Sequence, residues 1–180
     1  MTGMEISTAA LPAAPGSGQD EHASAEDLVI VLDGATAFDP TTADASAYVD
    51  CLPERLVAAL AAQPSMDLAD GLAAAIAATT TDLLGLSPGT APTSTVALLR
   101  PRGDVLDLLV LGDSAIHLAT PDGVKRLSDD RLASVTPNVR ASSQQRLSDG
   151  HGYDSDHRAL LNELQRHQAT ARNVSRLLDR

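Results

Sequence analysis

Two aspartates occupy matching places in this chain, each closing an apolar run and each with a glycine as neighbour. Residues 28–36 read LVIVLDGAT and residues 108–116 read LLVLGDSAI, so Asp33 precedes Gly34 and Asp113 follows Gly112. Apolar runs of this length, rich in β-branched residues and bounded by Gly and Asp, read as buried strands. Both carboxylates would then sit where core strands meet solvent. A carboxylate so placed is held by the sheet, and the adjacent glycine lets backbone or ligand approach closely. Such oxygens are what a hard divalent cation takes as ligands, so the pair suggests a metal site. The competing reading is two ordinary turns, which favour Asp and Gly on conformational grounds alone.

The elements that must position these residues follow from periodicity. Residues 1–24 are rich in Ala, Ser, Gly and Pro and lack a repeat; they read as a disordered or loosely ordered tail, with the domain spanning 25–180. A first strand is expected over Asp27–Asp33. Tyr48, Leu52, Leu56 and Leu60 recur at the helical step, with Pro53 either kinking that helix or marking its first turn, and Gln63 and Pro64 end it. Ser65 is placed to cap a second helix, in which Leu68, Leu72 and Ile76 share a face and which stops near Gly85.

Beyond it, strands Ser94–Leu99 and Val105–Leu111 flank a turn at Arg100–Asp104, and strands Ala115–Ala119 and Val124–Leu127 flank a turn at Thr120–Gly123. These four strands predict an antiparallel meander. Residues Ser128–Ser155 are polar and turn-rich, a long loop with room for a short helix. A last helix from about Asp156 carries Leu160, Leu164, His167, Ala171, Val174 and Leu178 along one stripe, expected to pack on the sheet. One strand, two helices and then a meander give an α+β layered domain.

Composition closes several function classes. With 24 acidic against 13 basic residues the net charge is -11, which argues against a nucleic-acid or anionic-membrane surface and suits a cation-binding protein. No Trp, one Phe and two Tyr leave no aromatic platform for single-stranded nucleic acid. No run is long enough to cross a bilayer and no secretory leader is evident, so a cytoplasmic protein is expected. The single cysteine, Cys51, cannot form an internal disulfide and reads as a small buried hydrophobe. Arginine in preference to lysine, with abundant alanine, reads as the coding bias of a GC-rich bacterial genome.

Taken in order, the elements and the aspartate motifs resemble the metal-dependent protein phosphatase family, the type 2C or PPM class, over roughly Gln19 to Leu127. The residues that carry the resemblance are Asp33 and Gly34, then Thr93, Ser94 and Thr95, then Gly112, Asp113 and Ser114, with Gln19, Asp20 and Glu21 as the acidic segment upstream. The resemblance implies a layered α-β-β-α sandwich of antiparallel sheets flanked by helices. It implies two Mn²⁺ or Mg²⁺ ions bridged by a water that attacks phosphoserine or phosphothreonine in a phosphoprotein substrate. It also implies that Asp33 bridges the ions, that the Gly34 carbonyl binds one, and that Asp20 and Asp113 are outer or accessory ligands.

Other features depart from that pattern. Two further aspartates that the family supplies from later strands have no counterpart here: Asp149-Gly150, the last Asp-Gly of the chain, follows the polar Gln144, Gln145 and Arg146 rather than a strand. The last helix reads as one that more sheet should follow, so the domain is expected to be incomplete at its C-terminal end. A non-catalytic, pseudophosphatase-like interaction module is therefore the alternative, binding a partner or a second copy through the last helix. Ser94 and Ser114 lie in no nucleophile-elbow motif and read as structural hydroxyls. His151, Asp154, Asp156 and His157 match no standard zinc spacing and read as a solvated loop leading into a helix cap.

Overall fold

The computed structural model describes residues 4–10, 18–25, 27–35, 44–83, 91–134, 136–152 and 154–178. A four-stranded antiparallel sheet is built from β1 (Asp20–Ala25), β2 (Leu28–Gly34), β3 (Ser94–Arg102) and β4 (Val105–Leu111), in that spatial order. Two helices, α1 (Ser46–Ala62) and α2 (Leu68–Asp82), connect β2 to β3. A separate two-stranded sheet contains β5 (Ala115–Thr120) and β6 (Gly123–Ser128). A 3-10 turn at Arg131–Ser134 then leads to α3 (Pro137–Ser148) and α4 (Ser155–Leu178). The fold is α+β, as the sequence predicts.

The core forms because strand and helix periods coincide on one surface. Alternation places Leu28, Ile30 and Leu32 of β2 on one face of the sheet, beside Val96 and Leu98 of β3. Against them pack Tyr48, Val49, Leu52, Leu56 and Leu60 of α1 and Leu68, Leu72 and Ala75 of α2, all buried. Each large aliphatic side chain taken fully from water contributes about 1.5–3 kcal/mol of burial free energy, so this face holds the domain together. The opposite face of β2 is less covered: Val29 is half-buried and Val31 is 45% exposed. The strand expected to be buried is thus buried on one side.

Several local expectations are corrected. Asp20–Ser24, assigned by composition to the tail, belong to strand β1, because pairing with β2 supplies backbone partners that an unpatterned polar sequence does not advertise. Pro53 lies well inside α1 and is buried in the core. The cap of α2 is Asp67, whose side chain accepts from the Ala69 amide at 2.7 Å, and not Ser65. The expected helix stop at Gly85 and the start of the following loop lie outside the described residues. Cys51 is half-buried, not buried.

Arg100, Pro101 and Arg102 continue β3, and the turn narrows to Gly103 and Asp104, with Gly103 at φ +60. Pro101 is tolerated because β3 there overhangs β2, whose pairing ends at Val29 opposite Leu99. Arg100 turns inward instead and is 6% exposed. Its guanidinium donates to Asp107 Oδ2 at 2.8 Å and to the Met66 carbonyl at 2.7 Å, clipping the α1–α2 connection to the sheet.

The meander also breaks. Gly112, at φ +89, turns the chain out of β4, and β5 pairs with β6 rather than extending the first sheet. The start of β5 lies across the less covered face of β2 and β3. Between them is a cleft of about 290 Å³, lined by Val29, Val31, Ala97 and Leu99 on one side and Ala115 and Ile116 on the other.

The expected polar loop contains a complete helix, α3, whose low hydrophobicity hides it. Pro137 opens α3, and its one buried side chain, Ser143, meets the buried His157 of α4 at 3.5 Å. Helix α4 packs along α3, where packing on the sheet was expected. The side chains of Ala171, Val174 and Leu178 in its stripe lie outside the described residues. Asp154 caps α4 by accepting from the His157 amide at 2.9 Å and holds Arg146 at 2.6 Å, as the helix-cap reading expects, but His157, expected in a solvated loop, lies within α4 and is 1% exposed.

Candidate metal centre

Asp33 comes from the central part of the first sheet, at the end of β2, with β1 on one side and β3 on the other. In register it faces Asp20 of β1 and Thr95 of β3. Alternation puts Asp20, Asp33 and Thr95 on the face away from α1 and α2, the face that β5 partly covers. The neighbouring glycine is required by packing. Gly34 is buried, its amide donates to the Gln19 carbonyl at 2.8 Å, and a Cβ there would stand 2.5 Å from that oxygen. The next amide, of Ala35, donates to the Thr93 carbonyl at 2.8 Å. Backbone bonds to strands on both sides therefore fix the position of the Asp33 side chain.

Gln19 has a second role: its side chain donates to Asp44 Oδ2 at 2.8 Å, and Asp44 Oδ1 accepts from the Ser46 amide at 2.8 Å. The Ser46 contacts hold Asp44 below the ordinary carboxylate range, with Gln19 assisting. The entrance to β1 is thereby tied to the start of α1, and Asp20, the next residue, is brought beside Asp33.

The electrostatics of Asp33 record how close the acids are. Its pKa is pushed up to about 6, first by burial, then by the charge of Asp20 and a hydrogen bond between the two carboxyl groups, and then by the charge of Asp113. Structure thus brings three acids from separate parts of the sequence to one end of the sheet: Asp20 from β1, Asp33 from β2 and Asp113 from the turn after β4. Asp20 and Asp33 are in contact, and Asp113 acts on Asp33 through its charge. Among the described residues, no three His, Cys, Asp or Glu side chains close together tightly enough to enclose a metal ion.

Two carboxyl groups in contact, which repel when both are ionised, make an oxygen-only donor pair, and a cation would relieve that repulsion. A hydrated Mg²⁺ or Mn²⁺ is commonly held by one or two carboxylates and keeps several waters, so the Asp20–Asp33 pair fits such an ion. A closed cage of protein ligands does not fit. Gly34 lies next to the pair, with its amide committed to Gln19.

Two residues at this end of the sheet were given no site role by the sequence, although Thr95 belongs to a segment that carries the resemblance. Thr95 is buried, and its Oγ1 shares a hydrogen bond of 2.5 Å with Ser114 Oγ. Asp129, just after β6, accepts from the Gly112 amide at 3.1 Å. Arg131 holds Asp129 below the usual carboxylate range. Strand alternation could have flagged Thr95, as it falls on the same face as Asp33. Nothing local marks Asp129, whose contact depends on where the second sheet ends.

No protein-family model and no curated protein matches the chain. Two solved structures are similar to it. One is the PPM Ser-Thr phosphatase MsPP from Mycobacterium smegmatis in complex with cacodylate, at 22% identity and a TM-score of 0.49 over 71% of this chain and 56% of that one. The other is the Mycobacterium tuberculosis serine/threonine phosphatase PstP/Ppp, at 19% identity and a TM-score of 0.45 over 76% of this chain and 55% of that one. Both neighbours are serine/threonine phosphatases. The chain spans little more than half the length of either. Among its described residues no helix is long and apolar enough to cross a membrane.

Proposed function

We propose that this chain is a type 2C-like phosphatase domain, hydrolysing phosphoserine or phosphothreonine esters with Mn²⁺ or Mg²⁺. The observation that carries the reading is the Asp20–Asp33 pair, set opposite one another by the β1–β2 register, with Asp113 at the same end of the sheet acting through its charge. In this reading Asp33 and Asp20 hold the cation, and Asp113 adds negative charge beside them. The Gly34 carbonyl is a further oxygen donor in the same reading. The ion, when bound, supplies charge neutralisation at the phosphoryl oxygens and acidifies a water. The sheet supplies rigidity: Asp33 is fixed by pairing on both sides, so the donor pair is oriented before substrate arrives. Purified chain should hydrolyse an aryl phosphate or a phosphopeptide when Mn²⁺ is added and lose that turnover in Asp33→Asn. Turnover unchanged by a chelator refutes the reading.

A second reading is favoured by a different observation, that no three acidic or imidazole ligands converge among the described residues. In it the same fold serves as a non-catalytic module that binds a protein partner or a second copy, with α4 as the contacting element. Calorimetry that finds no Mn²⁺ binding, together with concentration-dependent self-association, supports this reading over the first.

A further inference from the structure

The Gly112–Asp113–Ser114 turn is anchored at both ends by side chains outside it. At its start the Gly112 amide donates to Asp129 Oδ2 at 3.1 Å. The Asp129 side chain, only 6% exposed, is itself fixed by Arg131 through bonds of 2.8 and 3.0 Å. At its end Ser114 Oγ meets Thr95 Oγ1 at 2.5 Å. Thr95 is the direct cross-strand neighbour of Asp33. One anchor therefore comes from the first sheet and the other from the end of the second, and between them stands Asp113.

A turn containing a glycine at positive φ has other paths open to it, so its course at this point has to be imposed by contacts. We propose that Thr95 and Asp129 are positioning residues, holding this turn so that Asp113 faces the Asp20–Asp33 pair and thereby setting how tightly a divalent cation is held there. The inference rests on the metal reading above. Its physical basis is general: residues behind a ligand set restrict the orientations of the charged groups, and their loss typically weakens metal affinity by about 10–100-fold. A purely structural clamp between two sheets would change stability and leave affinity alone.

The test is Mn²⁺ titration of the full chain by calorimetry, with a denaturation curve in metal-free buffer for each variant. Wild type should bind. Thr95→Val, which keeps the shape and removes the hydroxyl, should weaken binding by about tenfold, and Thr95→Ser should restore it. Asp129→Ala should weaken binding similarly. If Thr95→Val does not fold, Ser114→Ala removes the same hydrogen bond from the side of the turn and carries the test. A folded Thr95→Val or Ser114→Ala chain with wild-type Mn²⁺ affinity overturns the positioning role while leaving the metal reading intact. Wild type that binds no Mn²⁺ overturns both.

Discussion

Replacing Asp33 with asparagine should stabilise the fold in metal-free buffer while removing the response to metal. The amide matches the carboxylate in shape, can still hydrogen-bond Asp20, and carries no charge. In the native chain Asp33 is raised from 3.8 to about 6 by burial, then by Asp20, then by Asp113. The folded state therefore binds a proton at this residue more tightly than the unfolded chain does. The sign follows: between about 4 and about 6 the folded state holds more protons, so Asp33 costs stability as pH rises through that window, and the cost is complete above it. A shift of this size corresponds to about 3 kcal/mol as an upper limit, at about 1.4 kcal/mol per unit. Asp33 is exposed to solvent on one side, and screening there reduces the expected difference to about 1 kcal/mol.

Urea denaturation followed by far-ultraviolet circular dichroism suits a chain without tryptophan. It should be run at low salt with chelator, below and above the titration window. Carboxylates held low by arginine, such as Asp129, titrate in both proteins and cancel in the difference. Asp33→Asn should have the higher midpoint above the window, with the gap closing below it. An equal or lower midpoint at neutral pH would show that the three acids do not meet as described.

Gly34→Ala tests the packing of the same strand end: a Cβ 2.5 Å from the Gln19 carbonyl forces β1 away from β2, and a loss of about 2 kcal/mol is expected from overpacking of this kind. A midpoint within error of wild type would refute that requirement. Arg100→Met keeps the apolar stem of a buried arginine while removing its bonds to Asp107 and the Met66 carbonyl. With Arg102 still pairing Asp107, the urea midpoint should fall, because the Met66 carbonyl loses its buried donor. Hydrogen exchange should also rise at the α1–α2 connection; unchanged protection there would argue against the clip.

Legibility differed between elements for reasons the residues make plain. β2, α1 and α2 announce themselves because a buried face repeats at a period of two or about 3.6, and β4, β5 and β6 because short strand-forming runs are bounded by turn residues; the structure bounds all six close to where the pattern does. Strand β1 and helix α3 do not: DEHASA is polar, and α3 buries only Ser143. Both elements depend on a partner, β2 in one case and α4 in the other, and no local pattern encodes a partner. Arg100 illustrates the same limit, since an arginine followed by proline and glycine reads as a turn until α1 and α2 are in place above it to accept its hydrogen bonds.

For the site, the sequence by itself determined where carboxylates could stand. An apolar strand ending at Asp33, another followed by Gly112 and Asp113, and an acid at Asp20 are statements about chain order and local conformation. Only the tertiary structure decided which of them meet. The β1–β2 register sets Asp20 opposite Asp33, the β2–β3 register sets Thr95 beside it, and the turn out of β4 brings Asp113 within reach of its charge. Proximity across strands is fixed by backbone pairing and by contacts such as Asp129 with Gly112, which join residues far apart in the chain. Electrostatic coupling falls off with distance in space and not along the sequence, so the raised pKa of Asp33 is a property of the fold.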